Sequence, residues 1–340
     1  MTRRIATPAP FASPSSRYAL RYSPVHPGRL PRFAGPTHPC PMINLQNARR
    51  YEDLLGADVE PSPYEFALLF QADGWLARRR AKDRFKLLRA LNPKLREILR
   101  SGERVYFVTS GTTASLVEQF FVGAFVAQVV NRRALAFTTE RVLLLQIDSR
   151  KRPRELVSQI SYASIAQVKS TWNGYCQLTL RNNEKLNFVG VPKADRQNLA
   201  AFLADVVKRG TTTPFSGDAQ ALEHLCPHCF AVVPGHPGQC PICRGGLKQA
   251  RTAMLRSLLF PGLGDLYLGH RAVAVFEMLG AALVWLRLVV APLAGAPDAD
   301  GNVLRPDAAY WATVIVTLAI IHGLDAAATR NFALKGHHPA

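Results

Sequence analysis

The apolar residues of this 340-residue chain collect near its C-terminus, in two stretches long enough to cross a bilayer, and no other feature limits the fold as much. The first runs from about Ala272 to Leu293, the second from about Ala308 to Ala327. A helix rises about 1.5 Å per residue, so about 20 residues match a hydrocarbon core. Tyr310 and Trp311 stand at the entrance of the second stretch, where an aromatic belt would lie. The intervening loop, 295–307, holds three aspartates and one arginine, whereas Arg251, Arg256 and Arg271 precede the pair and Arg330 and Lys335 follow it. Basic flanks stay on the cytoplasmic side. The expectation is an integral membrane protein of a bacterial inner membrane, with the N-terminal domains and the C-terminus cytoplasmic. A competing third crossing at Met254–Leu268 is interrupted by Pro261 and Asp265, and better suits an interfacial or re-entrant helix.

Four polar side chains fall inside these stretches: Glu277, Arg287, His322 and Asp325. Ionisable residues in a membrane are functional candidates by default. Glu277, His322 and Asp325 share the cytoplasmic half, and His322 and Asp325 are three apart on one helix face. Interhelical hydrogen bonding is the reading favoured here. A proton or ion path would need a homo-oligomer, because two helices enclose nothing. Ahead of the first stretch, "RSLLFPGLGDLYLGHRAVAVFEML" carries Pro261, Gly262, Gly264, Tyr267, Leu268 and Gly269. This resembles two-helix membrane families marked by P-G-x-G-x-x-Y-L-G, in which the Asp265 position is often polar.

The chain has six cysteines, of which Cys226, Cys229, Cys240 and Cys243 form two C-P-x-C knuckles and Cys40 and Cys176 are isolated. A secreted disulfide framework would be spaced differently. Two knuckles joined by a Gly/Pro-rich loop suit a tetrahedral thiolate site, so one structural Zn²⁺ is expected, with iron the competitor. The pattern resembles the small zinc ribbons. Four thiolates leave no open position for catalysis, and His228 and His236 read as surface histidines. The loop Phe230–Gln239 holds no Lys or Arg, which argues against nucleic-acid reading by this module.

Upstream, short runs rich in β-branched and aromatic residues occupy 103–190, and "DRQNLAAFLADVVKR" closes them with Leu199, Phe202, Leu203, Val206 and Val207 on one helical face. A strongly bent sheet plugged by that helix is expected. "TSGTTAS" reads as a strand-to-helix turn capping a helix from Ala114, and the apolar segment Phe120–Val130, too short to span, reads as a buried helix or a membrane-dipping loop. "ALAFTTERVLLL" followed by "ISYASIAQVKS" resembles the bacterial pleckstrin-homology-like, GRAM-type domains, with Thr138 and Arg141 at the turn between two strands. That resemblance implies lipid or protein binding.

Net charge is +18, which favours an anionic partner. Residues 1–41 carry six arginines and no acid, and read as disorder or a mis-assigned start before Met42, with a transit peptide as the alternative. "WLARRRAKDRFKLLRALNP" reads as an amphipathic helix broken at Pro93, with Trp75, Phe85, Leu88 and Leu91 on its apolar face. Arg78, Arg79, Arg80, Lys82, Arg84, Lys86 and Arg89 are the candidates for contact with an anionic membrane surface. Alternatively the apolar stripe packs on the neighbouring domain.

The fold class expected is therefore multidomain α+β plus membrane: a helical basic region 42–100, a pleckstrin-homology-like bent sheet with a C-terminal helix 101–209, a linker 210–224, a zinc ribbon 225–248, a two-helix transmembrane hairpin 250–332 and a tail 333–340. No phosphate-binding loop, H-E-x-x-H or G-x-S-x-G is present. The expected role is a membrane-anchored, non-enzymatic adaptor, with partners in the lipid bilayer, anionic head groups or another protein. A component of a small oligomeric transporter or channel and a membrane-linked nucleic-acid-binding regulator are the rivals.

Overall fold

The computed structural model describes residues 45–55, 63–70, 77–113, 130–171, 175–193, 195, 196, 199, 203, 222–295 and 306–340. The expectations for 1–42, Cys40, Trp75, Phe120 to residue 129, Phe202, Val206, Val207 and most of the 210–224 linker lie outside them.

Helices α1 (Leu45–Leu55), α2 (Phe66–Leu69) and α3 (Ala77–Ile98) precede strands β1 (Val105–Thr113), β2 (Arg132–Thr138), β3 (Arg141–Ile147), β4 (Pro153–Ser161), β5 (Ile165–Ser170), β6 (Tyr175–Leu180), β7 (Lys185–Val189) and β8 (Glu223–Leu225). The eight strands form one antiparallel sheet in the order β5-β6-β7-β1-β2-β3-β4-β8. Side chains alternate across a strand, and β2 shows what each face does. Ala134 and Ala136 join a core with Leu87, Leu88, Leu91 and Leu95 of α3, whereas Leu135 and Phe137 join Leu178 of β6, Phe188 of β7, Leu199 and Leu203. Strands β2 and β6 stand three places apart in the sheet yet share one cluster, so the sheet curls around its second core. Leu199 and Leu203, both helical, fill it as expected.

Four expectations need correction. Strand β1 runs through Thr113, so "TSGTT" is strand rather than turn, pairing with β2 on one side and, at Thr112 and Thr113, with β7 on the other, and the helix expected from Ala114 lies outside the described residues. Glu223–Leu225 is a strand rather than linker because it completes the edge left by β4. Pro93 does not break α3. Its ring is exposed, and the burial of Leu91, Leu95 and Ile98 carries the helix past the missing donor. The apolar stripe of α3 packs on the sheet, in keeping with the second reading of that helix; the fourth correction is to one of its cations. Arg79, Arg80, Lys82, Lys86 and Arg89 are exposed, but Arg84 is not a surface cation: it pairs with Asp195 at 2.6 Å, donates to the Leu69 carbonyl and lies 4.6 Å from the Phe107 ring centroid. Arg78 belongs to the same helix, its side chain outside the described residues.

The turn between β2 and β3 is built on a buried ion pair. Thr138 Oγ1 accepts from the backbone N–H of Arg141 at 3.1 Å and donates to Glu103 Oε1 at 2.6 Å. Arg141 meets Glu103 in a two-pronged contact, Nε to Oε1 at 3.0 Å and Nη2 to Oε2 at 2.9 Å. Its Nη2 also donates to the Ile98 carbonyl at 3.0 Å, satisfying the end of α3, and its Nη1 to Gln159. Burial alone would push the Glu103 carboxyl up; hydrogen bonds from Arg141, the Arg100 amide and Thr138, with the Arg141 charge, outweigh it and hold the group below the usual carboxylate range.

Replacing Glu103 with Gln leaves Arg141 buried without its counter-charge, a change that costs about 3–5 kcal/mol. Because the native carboxyl titrates below its unfolded value, its contribution is full at neutral pH and fades as pH falls through the native value. Thermal unfolding of the detergent-solubilised chain should show a lower Tm for E103Q at pH 7, with the gap to wild type closing in acid.

Candidate metal centre and the polar cluster of the apolar helices

Each cysteine knuckle is a tight turn with the same wiring. In the first, the Phe230 amide donates to the Cys226 carbonyl at 3.0 Å and the Cys226 amide to the Ala231 carbonyl at 2.9 Å. In the second, the Arg244 amide donates to the Cys240 carbonyl at 2.9 Å and the Cys240 amide to the Gly245 carbonyl at 2.9 Å. The residue after the second cysteine is left-handed in both, Phe230 at φ 55° and Arg244 at φ 59°. This repetition sets the sulfurs facing one another. Cys226 and Cys243 Sγ are 3.7 Å apart, Cys229 and Cys240 Sγ 3.8 Å, and all four lie within 4.8 Å of one another. A metal–sulfur bond of about 2.3 Å in a regular tetrahedron sets sulfurs about 3.8 Å apart. The residues present therefore fit a tetrahedral metal ion. None of the described cysteines is in a disulfide.

Electrostatics around the cluster favour thiolate at one corner first. Burial would raise the Cys240 thiol, but the Cys243 and Ile242 amides aimed at its sulfur, with further bonds from neighbouring thiols, hold it down at about 7. Burial pushes Cys229 up to about 12 in the absence of metal charge. His228 is exposed and His236 largely so, and neither is needed to close the shell.

The ribbon is fastened on three sides. Strand β8 pairs with β4, Val157 opposite Leu225, and the next residue is the first ligand. Phe230 packs on the α3 core, with Lys94 Nζ 4.5 Å from its ring centroid. The expected 333–340 tail is a third clamp: the Lys248 amide donates to the His338 carbonyl at 2.8 Å, the Ala340 amide to the Gly246 carbonyl at 3.0 Å, and His337 Nε2 meets the Val233 carbonyl at 3.0 Å. His337 and His338 are both buried. The sequence shows the His337–His338 pair after the last apolar helix, but no spacing that says where it docks.

Beyond the ribbon come α4 (Ala250–Leu259), α5 (Leu263–Leu268), α6 (Arg271–Trp285) and α7 (Ala308–Ala333). Helix α6 continues through a wider π-type turn, Leu286–Val290, to Leu293. The segments Arg271–Leu293 and Ala308–Ala333 are each long and apolar enough to cross a membrane. The P-G-x-G stretch earns its form by close approach. Gly262 has φ +86°, and a Cβ there would lie 2.7 Å from the Ala274 carbonyl oxygen. At Gly264 a Cβ would strike the Ala253 carbonyl and Ser257 hydroxyl and come within 2.6 Å of Thr329 Cγ2.

That tight contact brings polar groups together. Asp265 accepts from Thr329 Oγ1 at 2.9 Å and meets His270 Nδ1 at 2.8 Å, and Ser257 and Thr329 hydroxyls are 2.9 Å apart. The Gly262 amide donates to Asp325 Oδ2 at 3.1 Å. His322 meets the Leu258 carbonyl at 2.9 Å and the Trp285 indole N–H at 3.3 Å. Carboxylate oxygens of Asp265, Glu277 and Asp325 lie within 4.8 Å of one another. His322 and Asp325 thus face α4 and α5, in keeping with interhelical hydrogen bonding. Arg287 is exposed in the π-type turn and does not join them. Sequence reasoning missed Ser257, His270 and Thr329 as members, since hydroxyls and a flanking histidine carry no periodic signal.

Two outcomes follow. Cys240→Ser should drop bound metal in the purified chain well below one ion per protein by elemental analysis, and open the 225–248 segment to protease. Gly264→Val should force α4 and α7 apart and cost about 1–3 kcal/mol or more of stability, read as a lower Tm in detergent with the metal content unchanged. No protein-family model matches the chain, and no curated protein matches it either.

Proposed function

We propose that this chain is a membrane-anchored, non-enzymatic adaptor whose curled sheet works at the bilayer surface, fixed there by a structural Zn²⁺ ribbon. The observation that carries this reading is the continuity of the ribbon with both sides: β8 enters Cys226 directly, and α4 begins seven residues after Cys243. A closed tetrahedral thiolate shell stabilises and does not catalyse. Only 17% of the apolar window in each long helix is buried within the chain, and Phe276, Leu283, Leu293 and Ile315 are exposed, which is an arrangement for lipid contact. The acidic 295–307 loop and basic flanks favour a cytoplasmic sheet.

The strand order, the inner helix at Leu199 and Leu203, and the Thr138–Arg141 turn support a pleckstrin-homology-like domain, with lipid or protein as its partner. The exposed Arg79, Arg80, Lys82, Lys86 and Arg89 of α3 add attraction to anionic head groups, about 1 kcal/mol for each charge near the surface. The three clustered carboxylates favour a second reading, a component of an oligomeric ion transporter, in which Asp325→Asn would abolish flux in proteoliposomes.

Cell fractionation tests the first reading. The chain should stay in the membrane pellet through high salt and leave only with detergent; release by salt alone sinks it. Held in neutral-lipid nanodiscs, it should bind phosphatidylglycerol vesicles over duplex DNA at equal ionic strength, and charge reversal at Arg79, Arg80 and Lys82 should weaken that binding.

A further inference from the structure

Arg133 is the second residue of β2, on the face that carries Leu135 and Phe137, and it lines a cavity together with Leu144 of the curled sheet's inner core. It is only 7% exposed. Among the described residues it has no carboxylate within salt-bridge distance and no hydrogen-bond acceptor. Burial without a counter-charge pulls even this guanidinium down, to about 10. Compare Arg141, eight residues on, whose three guanidinium nitrogens are all hydrogen-bonded. A buried unpaired cation costs several kcal/mol in general and persists only where something compensates it.

What stands beside Arg133 is a cavity of about 320 Å³. Its polar wall comes from Thr113, Ser158 and His224, the last two 2.9 Å apart. Leu144, Leu186 and Leu222 supply an apolar wall, and among the described residues Lys185 and Lys335 stand at the rim against one acid, Glu184. The volume is at the small end for ligand sites, too small for a whole phospholipid.

We propose that this cavity binds a small amphipathic anion, a carboxylate or phosphate ester bearing a short apolar chain, with the Arg133 guanidinium as its charge partner. The planar fork of Arg suits two-pronged capture of either head group, and the leucine wall takes the chain. This site is separate from the basic face of α3 and stands whether or not the adaptor reading does.

Hexanoate and butyl phosphate are the probes, with hexanol and inorganic phosphate as controls for tail and head alone, titrated by calorimetry into the full chain in neutral-lipid nanodiscs. At least one amphiphile should bind wild type ten-fold or more tighter than Arg133→Met, and ten-fold or more tighter than either control. The preferred amphiphile reports whether the head group is carboxylate or phosphate. Ligand-free R133M should have a Tm no lower than wild type, because a buried uncompensated charge is gone; a purely structural Arg133 would make it lower. Leu186→Trp, which fills the cavity and keeps the arginine, should also lose binding. Equal affinity in R133M, binding of neither amphiphile, or binding of hexanol or phosphate as tight as the amphiphile's would overturn the proposal.

Discussion

Everything C-terminal to the sheet depends on three residues, Glu223–Leu225, pairing with β4. Leu225 is fully buried opposite Val157, and Cys226 follows it directly. The ribbon's own core is small, Val233 and Leu247 packed on the cysteines; a metal ion at the four thiolates would supply the energy to fold it, and the strand supplies the address. From there the four cysteines, the Leu247 to Pro339 bridge and the start of α4 are all fixed within a few residues of one another. The ribbon is thus a rigid splice, held by strand pairing, by Phe230 on α3 and by the chain's own last residues, and the tail that closes it comes back from the end of α7.

The apolar helices obey a different constraint. Where no water can solvate a polar group, a partner in the chain is favoured, and most of the polar groups here have one, Glu277 Oε2 and His270 Nε2 being exceptions among the described residues. Gly262 and Gly264 make this feasible by letting α5 sit against α4, α6 and α7. Asp265 is then 1% exposed yet bonded to His270 and Thr329, and Asp325 caps the Gly262 amide. The π-type turn in α6 follows the same rule: the Leu288 carbonyl accepts from the Tyr310 hydroxyl at 2.9 Å.

Charge in the sheet domain divides into three kinds. Arg141 is bonded at all three guanidinium nitrogens and holds a turn; Arg84 has a largely buried side chain and ties α3 to Asp195; Arg133 is concealed and unmatched among the described residues. Sequence alone lists them as three of many arginines. The difference lies in which strand face or helix stripe each occupies and in what the curl of the sheet brings opposite. For the same reason Arg84 could not be told from its exposed neighbours in the run "RRRAKDRFK", where only a helix packed on Phe107 separates it.

The sequence by itself determined the features whose chemistry is local. Two C-P-x-C turns set the geometry of the sulfurs, two mostly apolar stretches of about 20 residues impose long helices, and alternating β-branched residues impose strands, each through bonds or periods spanning a few residues. The curl of the sheet, the docking of Gly336–Ala340 on the ribbon and the meeting of Asp265, Glu277 and Asp325 were decided only by tertiary structure. These join positions from about sixty to more than a hundred residues apart, such as His337 with Val233 or Asp265 with Asp325. Packing selects such pairs by shape and by the need to satisfy buried polar groups, and neither is written in the spacing of the chain.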